Sequence, residues 1–191
     1  MLTDPVWSER VSPFTFAGPK RVVKPSINFT DLPKIDVILI SHNHYDHLDI
    51  RTIKDLWVRD KPKIITPLMN DVIIKKHISD AEIVTLGWGE SYKEQEIQLN
   101  SKSFREDEFK GDVEFYLEPA QHWSARGIFD KNKALWGTFI IKTKIGDICF
   151  IGDSGYNDTL FKEIGKKHNI DENKFIIPEI GEFFLFDKND L

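Results

Sequence analysis

Ile35-Asp36-Val37-Ile38-Leu39-Ile40-Ser41-His42-Asn43-His44-Tyr45-Asp46-His47 joins an apolar run to four candidate metal ligands, His42, His44, Asp46 and His47. The run Ile35 to Ile40 reads as a strand, because consecutive aliphatic and β-branched side chains suit a strand covered on both faces. In an extended chain alternate side chains point the same way, so the spacing predicts His42, His44 and Asp46 on one side, with His47 added after a turn. Leu48-Asp49-Ile50 through Trp57 reads as a helix, with Ile50, Ile53, Leu56 and Trp57 near helical spacing. The ligands therefore sit on a strand-to-helix loop. Imidazole with carboxylate suits zinc first, with manganese or iron as alternatives, and the lack of a nearby thiolate argues against a closed Cys-rich structural zinc site. Three of the chain's six histidines fall in this loop, a concentration hard to explain without a metal.

The rest of the composition sets the frame for that loop. With 191 residues, 40% hydrophobic content, 14 Phe and 5 Trp, the chain has core enough for one domain spanning 1–191. A net charge of -5 offers no cationic footprint for a nucleic-acid backbone, so no nucleic-acid partner is expected. The single cysteine, Cys149, lies in Ile148-Cys149-Phe150-Ile151 and reads as a small buried hydrophobe. The N-terminus Met-Leu-Thr-Asp-Pro lacks the basic and apolar regions of a signal peptide, and no run approaches the roughly 20 apolar residues of a membrane span. A cytoplasmic, reducing location follows as the expectation.

Strand-like and helix-like segments alternate along the chain. Lys63-Ile64-Ile65-Thr66 and Ile83-Val84-Thr85-Leu86 read as short strands, with a helix over Asn70 to His77 between them. Val113 to Leu117 is a further strand, and Leu135 to Lys142 is expected to pair with Asp147 to Ile151 across Lys144-Ile145-Gly146. A helix from about Thr159 to Lys167 takes Asn157 or Asp158 as N-cap, with Phe161 and Ile164 facing inward. Phe175-Ile176-Ile177 reads as a last strand.

A hydrolytic metal centre needs ligands from several strand ends, and two residues lie at suitable places. His122 follows a strand and the corner Pro119-Ala120-Gln121, and Asp153 ends the strand Ile148 to Ile151 through Gly152. His77 and His168 stand near helix ends and read as structural, a cation at a helix C-terminus suiting the helix dipole.

His-x-His-x-Asp-His after a strand, then a distant His, then the Asp of Gly152-Asp153-Ser154, resembles the metallo-β-lactamase superfamily. Leu2-Thr3-Asp4-Pro5, Gly18-Pro19-Lys20-Arg21, Ile40 to Asp49, Gln121-His122-Trp123, Asn132 to Gly137 and Gly152 to Tyr156 are similar to its N-acyl-phosphatidylethanolamine-hydrolysing phospholipase D branch. The matches run in order from about residue 2 to about 181. The resemblance implies an α+β fold, an αββα sandwich carrying two zinc ions. His42, His44 and His122 would hold one zinc, Asp46 and His47 the second, and Asp153 would bridge them. Asp46 and Asp153 are the candidate catalytic carboxylates. It further implies a metal-activated hydroxide attacking the phosphorus of a phosphodiester, a phospholipid substrate and peripheral contact with a membrane.

The departures from the branch carry expectations of their own. The family's first strands precede the position of Leu2, and its later strands, helices and last His ligand follow Gly181, so the fold is expected to be incomplete at both ends. Self-association is the expected cover for the edges this leaves. Two alternatives stand beside the phosphodiesterase: a catalytically impaired remnant, and a lactonase or other small-molecule hydrolase on the same site.

Overall fold

The computed structural model describes residues 1–99, 109–144 and 146–170. Four short strands, β1 (Leu2–Thr3), β2 (Val37–Leu39), β3 (Lys63–Pro67) and β4 (Ile83–Leu86), form a parallel sheet in that order. Parallel neighbours need a crossover, which α1 (Ile50–Asp60) supplies between β2 and β3 and α2 (Asn70–Lys75) between β3 and β4. The second sheet is an antiparallel meander of β5 (Ser91–Leu99), β6 (Phe109–Glu118), β7 (Thr138–Thr143) and β8 (Gly146–Phe150). A further helix, α3, covers Asp158–His168.

Period-two alternation sorts the side chains into layers. Ile38 and Ile64 face α1 and α2, where they pack with Ile53, Leu56, Trp57 and Ile74. Val37, Leu39 and Ile65 face the other way and meet Phe115, Leu117, Phe139 and Ile141 of the second sheet. On the outer face of that sheet, Glu118 alternates with Leu117 and is buried against α3, its Oε1 2.7 Å from His168 Nε2 and 2.7 Å from Lys167 Nζ. Helix, sheet, sheet, helix is the αββα order that the resemblance implied. Among the described residues, no helix is long and apolar enough to cross a membrane.

Asp49 decides where α1 begins. Its carboxylate accepts from the Arg51 N–H at 3.2 Å and the Thr52 hydroxyl at 2.6 Å, capping the helix, and from the Ser8 N–H at 3.0 Å and hydroxyl at 2.9 Å. One buried side chain thus starts the helix and anchors the N-terminal segment to it. Asp49→Ala is expected to lower stability by about 2 kcal/mol, the upper end for loss of a helix cap. Denaturant unfolding checks this, and a loss below about 0.5 kcal/mol, the scale of an ordinary surface substitution, contradicts it.

Several boundaries differ from the sequence reading. β7 begins at Thr138 rather than Leu135, because the Leu135 N–H donates to Leu68 O and the Gly137 N–H to Ser41 O, taking this segment out of the ladder. α2 ends at Lys75, and the exposed His77 closes a turn by donating its N–H to Ile74 O at 2.9 Å. Cys149 is half-buried rather than buried, since β8 is the last strand of its sheet among the described residues, and burial pushes its thiol up to about 11. Asn157 is the cap of α3, accepting from the Leu160 N–H; Ile164 is buried, whereas Phe161 is only partly so. The proposed strand Phe175 to Ile177 lies outside the described residues.

Candidate metal centre

The site forms where both sheets end. After β2 the Ser41 N–H donates to Asp4 Oδ1 at 2.7 Å and the Ser41 hydroxyl to Asp4 Oδ2 at 2.5 Å. Asp4 follows β1 directly, so the end of one strand fixes the exit of the next. Gly152, at φ +64°, brings the chain after β8 against the same serine, and a Cβ there would fall 2.6 Å from Ser41 Cβ. Only a residue without that carbon allows Asp153 so close. The chain then turns rather than staying extended: the N–H groups of His47 and Leu48 both donate to His44 O, at 3.1 and 2.8 Å. The ligand loop is therefore a turn, and alternation along a strand is not what gathers its side chains.

Three imidazole nitrogens meet at one point. His42 Nε2 lies 2.9 Å from His44 Nδ1, and His122 Nε2 lies 3.2 Å from each. The tautomer of His42 follows from its neighbour. Ser41 gives its proton to Asp4, so its oxygen accepts from His42 Nδ1–H at 2.9 Å, leaving the Nε2 lone pair aimed at the other two rings. His44 Nδ1 is the atom this ring presents to the cluster, and its buried Nε2 has no hydrogen-bond partner among the described residues. Burial, assisted by His47, His44 and His122, pushes His42 down to about 2; burial also lowers His44 and His122. All three rings are neutral near pH 7. Three lone pairs turned to this point would repel unless a cation sat among them, and a tetrahedral zinc site with Zn–N near 2.0–2.1 Å has N···N edges of about 3.3 Å. The donor set fits a divalent metal.

His47 stands beside this triangle, its ring centroid 4.1 Å from that of His42. Its Nδ1 is 2.6 Å from Asp4 Oδ2, so Nε2 faces Asp153 Oδ1 at 3.4 Å and Asp46 Oδ2 at 3.9 Å. Burial lowers the affinity of His47 for a proton, but the hydrogen bond and charge of Asp4, with Asp153 and Asp46, outweigh it and the pKa ends above its ordinary value. The other Asp153 oxygen, Oδ2, is 3.7 Å from His122 Nε2, so this carboxylate spans the two groups. Asp46 and Asp153 have side chains 60% and 47% exposed, which leaves both open to an arriving molecule. Asp46 also lines a cavity of about 550 Å³ together with Asp4, Trp7, Lys20, Arg21 and Ile27, among others.

All six residues singled out in the sequence thus face one another. His42, His44 and His122 form one cluster, with His47, Asp153 and Asp46 beside it. Asp4 was not singled out as a site residue, although its carboxylate meets His42 and His47 in a second group of ligand atoms. No local pattern marks it, because it acts on residues 37 and 43 positions away.

Residues 1–172 match the family model of the β-lactamase superfamily domain. The chain is 35% identical over 171 residues to N-acyl-phosphatidylethanolamine-hydrolyzing phospholipase D 1 of Caenorhabditis elegans, a match covering 87% of this chain and 45% of that protein. It is 32% identical over 168 residues to the mitochondrial N-acyl-phosphatidylethanolamine-hydrolyzing phospholipase D of Saccharomyces cerevisiae, covering 87% of this chain and 33% of the relative. An uncharacterised Mycobacterium tuberculosis protein matches at 32% over 169 residues, covering 88% of this chain and 41% of its own. The chain therefore spans less than half the length of these relatives.

Proposed function

This chain belongs to the β-lactamase superfamily, and from that premise we propose that it is a zinc-dependent hydrolase of phosphodiesters, of the N-acyl-phosphatidylethanolamine phospholipase D type. The observation that carries the reading is the triangle of three neutral imidazole nitrogens within 2.9–3.2 Å of one another, flanked by His47 and two exposed carboxylates. His42, His44 and His122 would hold one metal, and His47, Asp46 and Asp153 a second, with Asp153 shared. Bound there, the metal would supply Lewis acidity, acidifying water toward neutral pH and stabilising charge on phosphoryl oxygens.

The remaining work falls to side chains. Asp4 accepts from His47 Nδ1, so Nε2 is the atom turned toward Asp153. Asp153 and Asp46 would accept hydrogen bonds from water entering between them and orient it toward a phosphorus atom on the exposed side. A phospholipid substrate is supported by the similarity to the two named phospholipases and by exposed apolar side chains on the loop after His122. Ile128 and Phe129 are 89% and 86% exposed.

The test is hydrolysis of N-acyl-phosphatidylethanolamine in mixed micelles, with bis(p-nitrophenyl) phosphate as generic phosphodiester, by protein reconstituted with zinc. Slow turnover that a chelator abolishes and added zinc restores is the expected result. Fully metallated protein that turns over neither compound overturns the assignment.

A further inference from the structure

Arg126 lies four residues after His122, in a loop that is cross-linked to itself. The N–H groups of Arg126 and Gly127 donate to the Asp130 carboxylate, at 3.1 and 2.8 Å. The Ser124 N–H donates to Asn132 Oδ1 at 3.3 Å, and the Asn132 N–H returns to Ser124 O at 2.7 Å. The Ser124 hydroxyl closes on Ala134 O. The loop carrying the third histidine therefore behaves as one body. One of its nitrogens ties it to both ends of the turn carrying the other ligands: Arg126 Nη1 donates to Asn43 O at 3.0 Å and to Leu48 O at 2.8 Å. Those two carbonyls bracket the turn from His44 to His47. The guanidinium also lies 3.9 Å from the Tyr45 ring centroid, and the Tyr45 hydroxyl donates back to Arg126 O at 3.2 Å.

We propose that Arg126 is a positioning residue for the metal centre, latching the His122 loop to the His42–His47 turn so that the three imidazole nitrogens stand at metal-binding spacing before any metal arrives. Hydrogen bonds from a charged donor are the stronger kind, and two from one nitrogen to both ends of a turn fix its span as well as its place. Without them, His44 and His122 belong to separate loops, and their 3.2 Å separation must be established at the cost of binding energy. The inference rests on the reading of His42, His44 and His122 as metal ligands.

The experiment measures zinc affinity of the full chain by competition with a chromophoric chelator, with hydrogen exchange on the metal-free protein as a second readout. Arg126→Ala is expected to weaken zinc binding about 10- to 100-fold, the usual cost of losing a group that orients metal ligands. Arg126→Lys, which keeps a charged nitrogen for the two carbonyls, should fall between wild type and Arg126→Ala. In metal-free Arg126→Ala, the His47 and Leu48 amides should exchange faster than in wild type. Zinc affinity within about twofold of wild type, below the usual cost of losing such a group, overturns the proposal, as does a Lys variant no better than Ala. If Arg126→Ala does not fold, Arg126→Gln is judged by the same criteria. Wild-type protein that takes up no zinc overturns the metal-centre reading itself, a result distinct from an unchanged affinity in the Arg126 variants.

Discussion

His42→Ala combined with His44→Ala is expected to abolish stoichiometric metal binding, with wild-type protein retaining a divalent metal through gel filtration. The geometry sets the size of this effect. Each of the three nitrogens lies within 3.2 Å of the other two, so removing two of them leaves His122 alone at that position. His47 with Asp46 and Asp153 remains, but it is a sparser set, with His47 carrying a pKa above its ordinary value that makes a proton compete with the metal. Elemental analysis of both proteins checks the prediction. A double variant that keeps the wild-type metal content refutes the ligand assignment, and circular dichroism of the same samples establishes that the fold survives.

Asp4→Ala is expected to produce the second large effect, and on two observables. The carboxylate is almost fully buried and accepts three short hydrogen bonds, from the Ser41 N–H, the Ser41 hydroxyl and His47 Nδ1. Truncation leaves buried donors without an acceptor and removes the charge facing His47. A loss of about 3–5 kcal/mol is expected, as for breaking a buried charged pair from one side. For a chain of this size that corresponds to roughly 10 °C in Tm. Metal affinity should fall as well, because the proton that Ser41 donates to Asp4 is what leaves its oxygen free to accept from His42. Thermal unfolding of the metal-free protein isolates the first effect and chelator competition the second. A metal-free Tm within about 2 °C of wild type, an effect of about 1 kcal/mol or less, contradicts the prediction.

The elements legible in the sequence are those whose causes are local. Ile35 to Ile40 announced β2 because a strand buried on both faces is continuously apolar, and both of its faces are covered, one by helices and one by the second sheet. α1 was legible from Ile53, Leu56 and Trp57, which are buried as their spacing requires. β5 was not read at all. Ser91-Tyr92-Lys93-Glu94-Gln95 carries charge and little β-forming bias, and its strand exists because β6 pairs with it and because Lys63 meets Tyr92 and Glu94. Asp4 and Arg126 escaped for the same reason at longer range. Their bonds reach residues 37 to 83 positions away, which no periodicity records. His42, His44, Asp46 and His47 were visible as a group only because one turn carries all four.

The meeting of both sheets at one point gives the metal a second kind of consequence. His42 leaves the parallel sheet and His122 the antiparallel one, 80 residues apart in the chain, so an ion held between them closes a long loop much as a covalent cross-link would. Such a closure penalises the unfolded chain more than the folded one, and it acts across the interface between sheets, where Val37, Leu39, Phe115 and Phe139 already pack. An ion bound there would thus be a removable rivet between two halves of the sandwich, and its loss would loosen their docking along with the chemistry at their rim.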